Sequence, residues 1–144
     1  MHVSNLLQAK GSEVVTVQSA VTVAEVVALL SERRIGAAVV SDDGSHIAGI
    51  VSERDVVLAL ARDGASALDA TAASIMSADV VTCHPGTTIE HLMATMTERR
   101  VRHVPVEVAG ELAGIISIGD VVKDRIQSLE LESKALQDYI TNPY

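Results

Sequence analysis

Two short stretches carry the residue types that could hold a sugar phosphate. Gly49-Ile50-Val51-Ser52-Glu53-Arg54-Asp55 and Gly114-Ile115-Ile116-Ser117-Ile118-Gly119-Asp120 share one pattern: glycine, two aliphatic residues, serine, two variable positions, aspartate. An ionised carboxylate only accepts hydrogen bonds, and can take two from adjacent hydroxyls. The vicinal diol of a ribose offers that pair. A helix N-terminus presents unpaired N–H groups and a partial positive charge, so a serine at that junction can face a phosphate. Gly49 and Gly114 have no Cβ and permit close approach to the backbone. The same letters also spell an ordinary helix start, with serine as the cap and aspartate in the first turn, where it suits the helix dipole. On the residues alone both readings stand, because a duplicated fold also duplicates its caps.

The elements that must position these motifs are themselves repeated. Val14–Arg34 recurs as Val80–Arg100, with Val14-Val15-Thr16 matched by Val80-Val81-Thr82 and Glu32-Arg33-Arg34 by Glu98-Arg99-Arg100. Ile47–Leu58 recurs as Leu112–Lys123, and the register slips by one residue at the turn between the blocks. Each copy predicts a short strand (Val14–Val17; Val80–Cys83). A helix follows, with apolar residues at Val23, Val26, Val27 and Leu30, or at Ile89, Leu92, Met93 and Met96, near the 3.6 period. Thr22 with Glu25 is a capping-box signature for the first of these helices. Two apolar runs around Asp42-Asp43-Gly44, and again around Gly110, predict a hairpin. A second helix opens at Ser52 and at Ser117. The expected fold is α+β: two β-α-β-β-α units packed sheet to sheet about a pseudo-twofold axis, with paired clefts between them. The expected division is 1–64 for the first unit, 65–77 for a connection with a short helical turn, 78–127 for the second unit and 128–144 for a helical extension.

Composition removes several classes of function. Nineteen Asp and Glu against eleven Lys and Arg give a net charge of −8, and the chain has two Tyr, no Phe and no Trp. Such a surface repels phosphate backbones and anionic membranes, and offers bases no stacking platform. No stretch approaches the roughly 20 apolar residues of a membrane span. No nucleic-acid or membrane partner is expected. Cys83 is the only cysteine, which fits a reducing cytosol, and Met-His-Val-Ser-Asn lacks the pattern of a secretory leader, so a cytoplasmic protein is expected. Cys83, His84 and His91 lack the spacing of a zinc set, and no metal site is expected. No nucleophile–base pair or Walker loop is present, and the chain is not expected to be an enzyme.

With motif, repeat and element order in hand, the chain resembles a tandem cystathionine-β-synthase (CBS) domain module, from about Val3 to Val122. It is also similar to small stand-alone bacterial CBS-pair proteins at Met96–Val106 (MTERRVRHVPV), at Ser117–Lys123 (SIGDVVK) and in the helical tail that carries Tyr139-Ile140. The resemblance implies a regulatory sensor that binds AMP, ADP, ATP, NAD or S-adenosylmethionine between the two units and requires no other cofactor. The motif aspartate would hold ribose, and the serine would reach toward phosphate. One cleft would join Ser117 and Asp120 to Val15, Ile35, Gly36 and Ala37, with Lys10 at its edge. The other would join Ser52 and Asp55 to Val81, Val101, Arg102 and His103. The second, with Arg102, His103 and Arg54, would favour phosphorylated ligands, since charge-assisted contacts are roughly twice as strong as neutral ones.

The output of such a sensor would be an effector protein or a change in its own assembly. Val122, Ile126, Leu129, Leu136 and Ile140 form a 4-3 seam on the tail helix. That helix either folds back on its own module or packs in a homodimer. The rival to the sensor is a structural or protein-interaction module whose clefts no longer bind ligand.

Overall fold

The computed structural model describes residues 1–142. Tyr144, and with it the end of the expected extension, lies outside the described residues.

The chain opens with a helix, α1 (Val3–Lys10), ahead of the first repeat. Then come β1 (Thr16–Val17), α2 (Val23–Arg33), β2 (Ala37–Val40), β3 (Gly49–Ser52) and α3 (Glu53–Asp63). A 3-10 turn (Gly64–Asp69) and the single-turn α4 (Ala72–Ile75) lead to the second repeat: α5 (Ile89–Arg99), β4 (His103–Val108), β5 (Glu111–Ser117) and α6 (Ile118–Thr141). β2 lies between β1, to which it is parallel, and β3, to which it is antiparallel. β4 and β5 form an antiparallel pair. The fold is α+β, with two tandem units and a long C-terminal helix.

Local chemistry sets the boundaries. Thr22 accepts the Glu25 N–H at 3.2 Å while the Glu25 carboxylate accepts the Thr22 N–H at 3.0 Å, closing the capping box that opens α2. The helix buries Val23, Val26 and Leu30 and stops at Arg34 in the left-handed conformation. α5 opens on a single cap, the His91 N–H donating to the Thr88 hydroxyl at 3.1 Å, buries Ile89, Leu92 and Met96, and stops at Arg100 in the left-handed conformation. Ala109 and Gly110 both have positive φ between β4 and β5, as a tight hairpin turn requires.

The expected strand at Val80–Cys83 is reduced to a single parallel bridge between Cys83 and Val106. The cause is Pro105. In the first copy the Val39 N–H donates to the Val15 carbonyl at 3.2 Å, joining Thr16 to Val39. Pro105 holds the place of Val39 and has no N–H to give Val81, so that rung is lost. The next one survives, with Cys83 N–H to Pro105 O at 3.0 Å and Glu107 N–H to Cys83 O at 2.9 Å.

Each core takes in a short helix from outside its own repeat: α1, at the start of the chain, packs on the second unit, and α4, within the connection, packs on the first. Val3 and Leu6 of α1 are buried with Ile89, Leu92, Met96, Val104, Val106, Ile116 and Val121 of the second unit. Ala72 of α4 is buried with Val17, Val26, Leu30, Ala38, Val40 and Val51 of the first. Full burial of a Val or Leu side chain is worth about 1.5–3 kcal/mol, so the second unit does not forgo α1 cheaply, while the single methyl of Ala72 contributes less.

α6 runs unbroken from Ile118 to Thr141, and Val121 is its buried residue. Val122, Ile126, Leu129, Leu136 and Ile140 are all about half exposed or more. The seam therefore does not fold back on its own module.

Candidate functional site

Both motifs sit where a strand turns into a helix. Ser52 ends β3 and caps α3, and Ser117 ends β5 and caps α6. Asp55 Oδ2 accepts the Ser52 N–H at 2.9 Å and the Ser52 hydroxyl at 3.0 Å, while the Ser52 hydroxyl accepts the Asp55 N–H at 3.3 Å. Asp120 and Ser117 repeat the arrangement at 2.8, 2.9 and 3.2 Å. The capping function is thus realised in both copies. It engages one oxygen of each carboxylate: Oδ1 of Asp55 accepts only a 3.4 Å contact from the Ser77 hydroxyl among the described residues.

Asp55 faces a cleft of about 670 Å³ that both units wall. That volume lies within the range of small-molecule sites. The first unit contributes Gly36, Ala37, Ile50, Ser52, Glu53, Arg54, Asp55 and Leu58, and the second contributes Val80, Val81, Arg100, Val101, Arg102 and His103. Ser52, Asp55, Val81, Val101, Arg102 and His103, expected together from the sequence, meet in this one cavity. The wall is divided by chemistry: Ile50, Leu58, Val80, Val81 and Val101 are aliphatic, while Arg54, Arg100 and Arg102 are basic and Glu53, Asp55 and Asp79 are acidic. At the helix mouth the Glu53 N–H is taken by the Gly36 carbonyl at 3.0 Å. Burial is the main influence on His103 and holds its pKa below the ordinary value. Glu53 and Asp120 oppose that shift, and Lys10 and Arg102 reinforce it.

The expected surroundings of Asp120 are divided. Lys10 joins it: the ammonium donates to Asp120 Oδ2 at 2.6 Å and to the Ile115 carbonyl at 2.8 Å. Burial raises the Asp120 carboxyl, but hydrogen bonds from Lys10 and Ser117 outweigh it, and the group titrates below its ordinary value. Gly36 and Ala37 line the Asp55 cleft instead. Val15 and Ile35 pack on the core of the first unit.

The two motif glycines serve packing. A Cβ on Gly49 would fall 2.5 Å from Met76 Sδ and 2.9 Å from the Ser77 carbonyl; one on Gly114 would fall 2.6 Å from Leu7 Cδ2. The close approach read from the sequence is made by the chain itself. It also exposes a likeness that the repeat search missed. Val3, Leu7 and Lys10 stand to the second unit as Ala72, Met76 and Asp79 stand to the first. Ser77, Asp79 and Val80, which the sequence reading did not place in the site, reach the Asp55 cleft through this relation. The matching spacing of apolar residues ahead of each repeat was the available signal.

Cys83 is more than half buried, and burial pushes its thiol up to about 11. It is a packed residue beside the second core. Among the described residues no cluster of His, Cys, Asp and Glu could hold a metal ion, and no helix is long and apolar enough to cross a membrane.

Comparison with known proteins places this geometry. The model of the CBS domain family matches twice, over residues 10–62 and 72–126. The crystal structure of a CBS-domain containing protein from Agrobacterium tumefaciens is 49% identical, with a TM-score of 0.82, covering 86% of this chain and 98% of that one. A CBS domain protein from Pyrobaculum aerophilum, solved in complex with AMP, is 30% identical, with a TM-score of 0.78, covering 92% of this chain and 99% of that one. A mitochondrial CBS domain-containing protein of Arabidopsis thaliana is 32% identical over 127 residues, which span 85% of this chain and 62% of the relative. The chain belongs to the CBS domain family, as a tandem pair of CBS domains.

Proposed function

Taking membership of the CBS domain family as the premise, we propose that this chain is a regulatory module that binds an adenosyl ligand. The Asp55 cleft is its primary site for phosphorylated adenine nucleotides. The observation that carries the proposal is the single cleft in which Ser52 and Asp55 of one unit meet Val81, Val101, Arg102 and His103 of the other. Aliphatic walls suit an adenine ring. The free side of the Asp55 carboxylate suits a ribose diol. Arg54, Arg100 and Arg102 suit phosphate, for which a guanidinium offers a planar fork of donors. The AMP complex of the Pyrobaculum relative supports the ligand class.

In this reading the module acts through binding and catalyses nothing. AMP, ADP, ATP, NAD and S-adenosylmethionine are the ligands to compare, and the module operates in the cytoplasm. Ligand occupancy would alter how the two units and α6 meet a partner: an effector protein, or a second copy held along the exposed seam of Val122, Ile126, Leu129, Leu136 and Ile140. Sedimentation of the chain at micromolar concentration tests the second copy, and a monomer with the helix intact would exclude it. Isothermal calorimetry with the five ligands tests the sensor. Saturable heat with at least one of them is expected. No binding of any at millimolar ligand would leave a structural or interaction module, a reading that the closed capping boxes already make coherent.

A further inference from the structure

α6 outruns the unit it belongs to. It has 24 residues where its counterpart α3 has 11, and the repeat matches the two only as far as Ser128. From Leu129 to Asn142 every residue is exposed. A free helix of that length is marginal in water, because no packing offsets the cost of ordering it. This one also carries large apolar side chains on one face: Leu129 is 50% exposed, Leu136 62% and Ile140 70%. They continue the 4-3 spacing that Val122 and Ile126 begin beside the module, and Leu131 is the exposed leucine that falls outside it. Written as heptads, Ile126, Ser133 and Ile140 occupy a, and Val122, Leu129 and Leu136 occupy d. Isoleucine at a with leucine at d is the pattern that favours two strands in a parallel coiled coil.

The charges beside the seam choose the direction. Lys123, Glu130 and Gln137 fall at e, and Arg125 and Glu132 fall at g. In a parallel pair in register, a g residue faces the e residue of the next heptad across the seam. Arg125 then meets the partner's Glu130, twice by symmetry, and Glu132 meets the uncharged Gln137 of the partner subunit. The fully overlapped antiparallel pair sets Glu130 against the partner's Glu130 and Glu132 against the partner's Glu132, and both contacts repel. We propose that α6 docks a second copy of this chain as a parallel, in-register, two-stranded coiled coil from Val122 to Ile140. This rests on the reading that the seam meets a second copy, and it fixes that copy's direction and register. The two Ser133 hydroxyls face each other in it, a single polar layer of the kind that specifies register.

The test uses the full chain. Sedimentation at micromolar concentration is expected to show a dimer. Leu129→Glu with Leu136→Glu should raise its dissociation constant at least about a hundredfold, since each dimer loses four buried leucines. Both side chains lie outside the two cores, so the units fold without them. Direction is read by oxidising Ile140→Cys in a chain that also carries Cys83→Ala. A parallel pair brings the two new thiols together and yields a covalent dimer, whereas an antiparallel pair holds them about 27 Å apart. Arg125→Glu should weaken the dimer by about threefold or more, and adding Glu130→Arg should restore it. A monomeric parent, a dimer unaffected by the two glutamates, or a dimer that gives no disulfide through position 140 would each overturn the inference. Calorimetry with AMP on the same preparations keeps the outcomes apart. AMP bound by a chain that fails these tests leaves the sensor standing, and a coiled-coil dimer that binds none of the five ligands leaves this inference standing without it.

Discussion

Replacing Asp55 by Asn and by Ala separates the two roles that one carboxylate plays. Its Oδ2 accepts the Ser52 N–H at 2.9 Å and the Ser52 hydroxyl at 3.0 Å. Asparagine keeps a carbonyl oxygen for that duty and loses the charge. The loss at the helix dipole is about 0.3–1 kcal/mol, so Asp55→Asn should lower unfolding stability by no more than that. Alanine also removes the acceptor, adding roughly 1 kcal/mol on the scale of other lost caps. Ligand affinity should follow another order. The amide places an NH2 group where Oδ1 stood, and an NH2 group cannot accept from a ribose hydroxyl. Losing one charge-assisted hydrogen bond costs about 1.5–3 kcal/mol, which is roughly 10- to 150-fold in affinity. Asn and Ala should therefore be nearly equal in lost AMP affinity at the tightest site and unequal in stability. Urea unfolding followed by circular dichroism gives the stability, and calorimetry gives the affinity. If Asp55→Asn binds AMP within about threefold of the parent, a change under 1 kcal/mol, the carboxylate is a helix cap and nothing more.

Other expectations follow from the same geometry. Gly49→Ala should destabilise by about 1–3 kcal/mol through overpacking, and by more than Gly114→Ala, because it meets the Ser77 backbone while Gly114 meets only the end of Leu7; urea unfolding showing the reverse order would contradict this packing. His103 titrates low in the free protein, mainly through burial, so its unfolded form binds the extra proton and its contribution to stability is lost as pH falls below about 6.5. A phosphate beside it would raise that pKa. AMP binding should then take up a proton near neutral pH, an uptake that calorimetry in buffers of differing ionisation heat would read and that His103→Asn should reduce to the part carried by the phosphate itself.

The parts legible in the sequence were those that a duplication writes twice or that act locally. The capping boxes at Thr22, Ser52 and Ser117 involve residues three apart, and a spacing of that kind can be read directly. Paired clefts followed from the duplication, and the grouping of Asp55 with Arg102 and His103 from the family resemblance. The shortened strand at Cys83 was also within reach, since Pro105 stands where Val39 donates its N–H, but the apolar run concealed it. Three features were not legible. α1 completes the second core and α4 the first, which depends on contacts far apart in the chain. The motif glycines accommodate Met76 and Leu7, and no local pattern shows what lies above a strand. Lys10 was expected at the edge of its cleft, but its direct grip on Asp120 spans 110 residues.

The central claim is that the cleft between the two CBS domains holds an adenine nucleotide by its ribose and its phosphate. A crystal structure of the chain grown with AMP tests it most directly. The account predicts the ribose hydroxyls within hydrogen-bonding distance of the Asp55 carboxylate, with the phosphate facing Arg102 and His103. AMP seated elsewhere on the molecule, or turned so that its sugar meets neither motif aspartate, would contradict it.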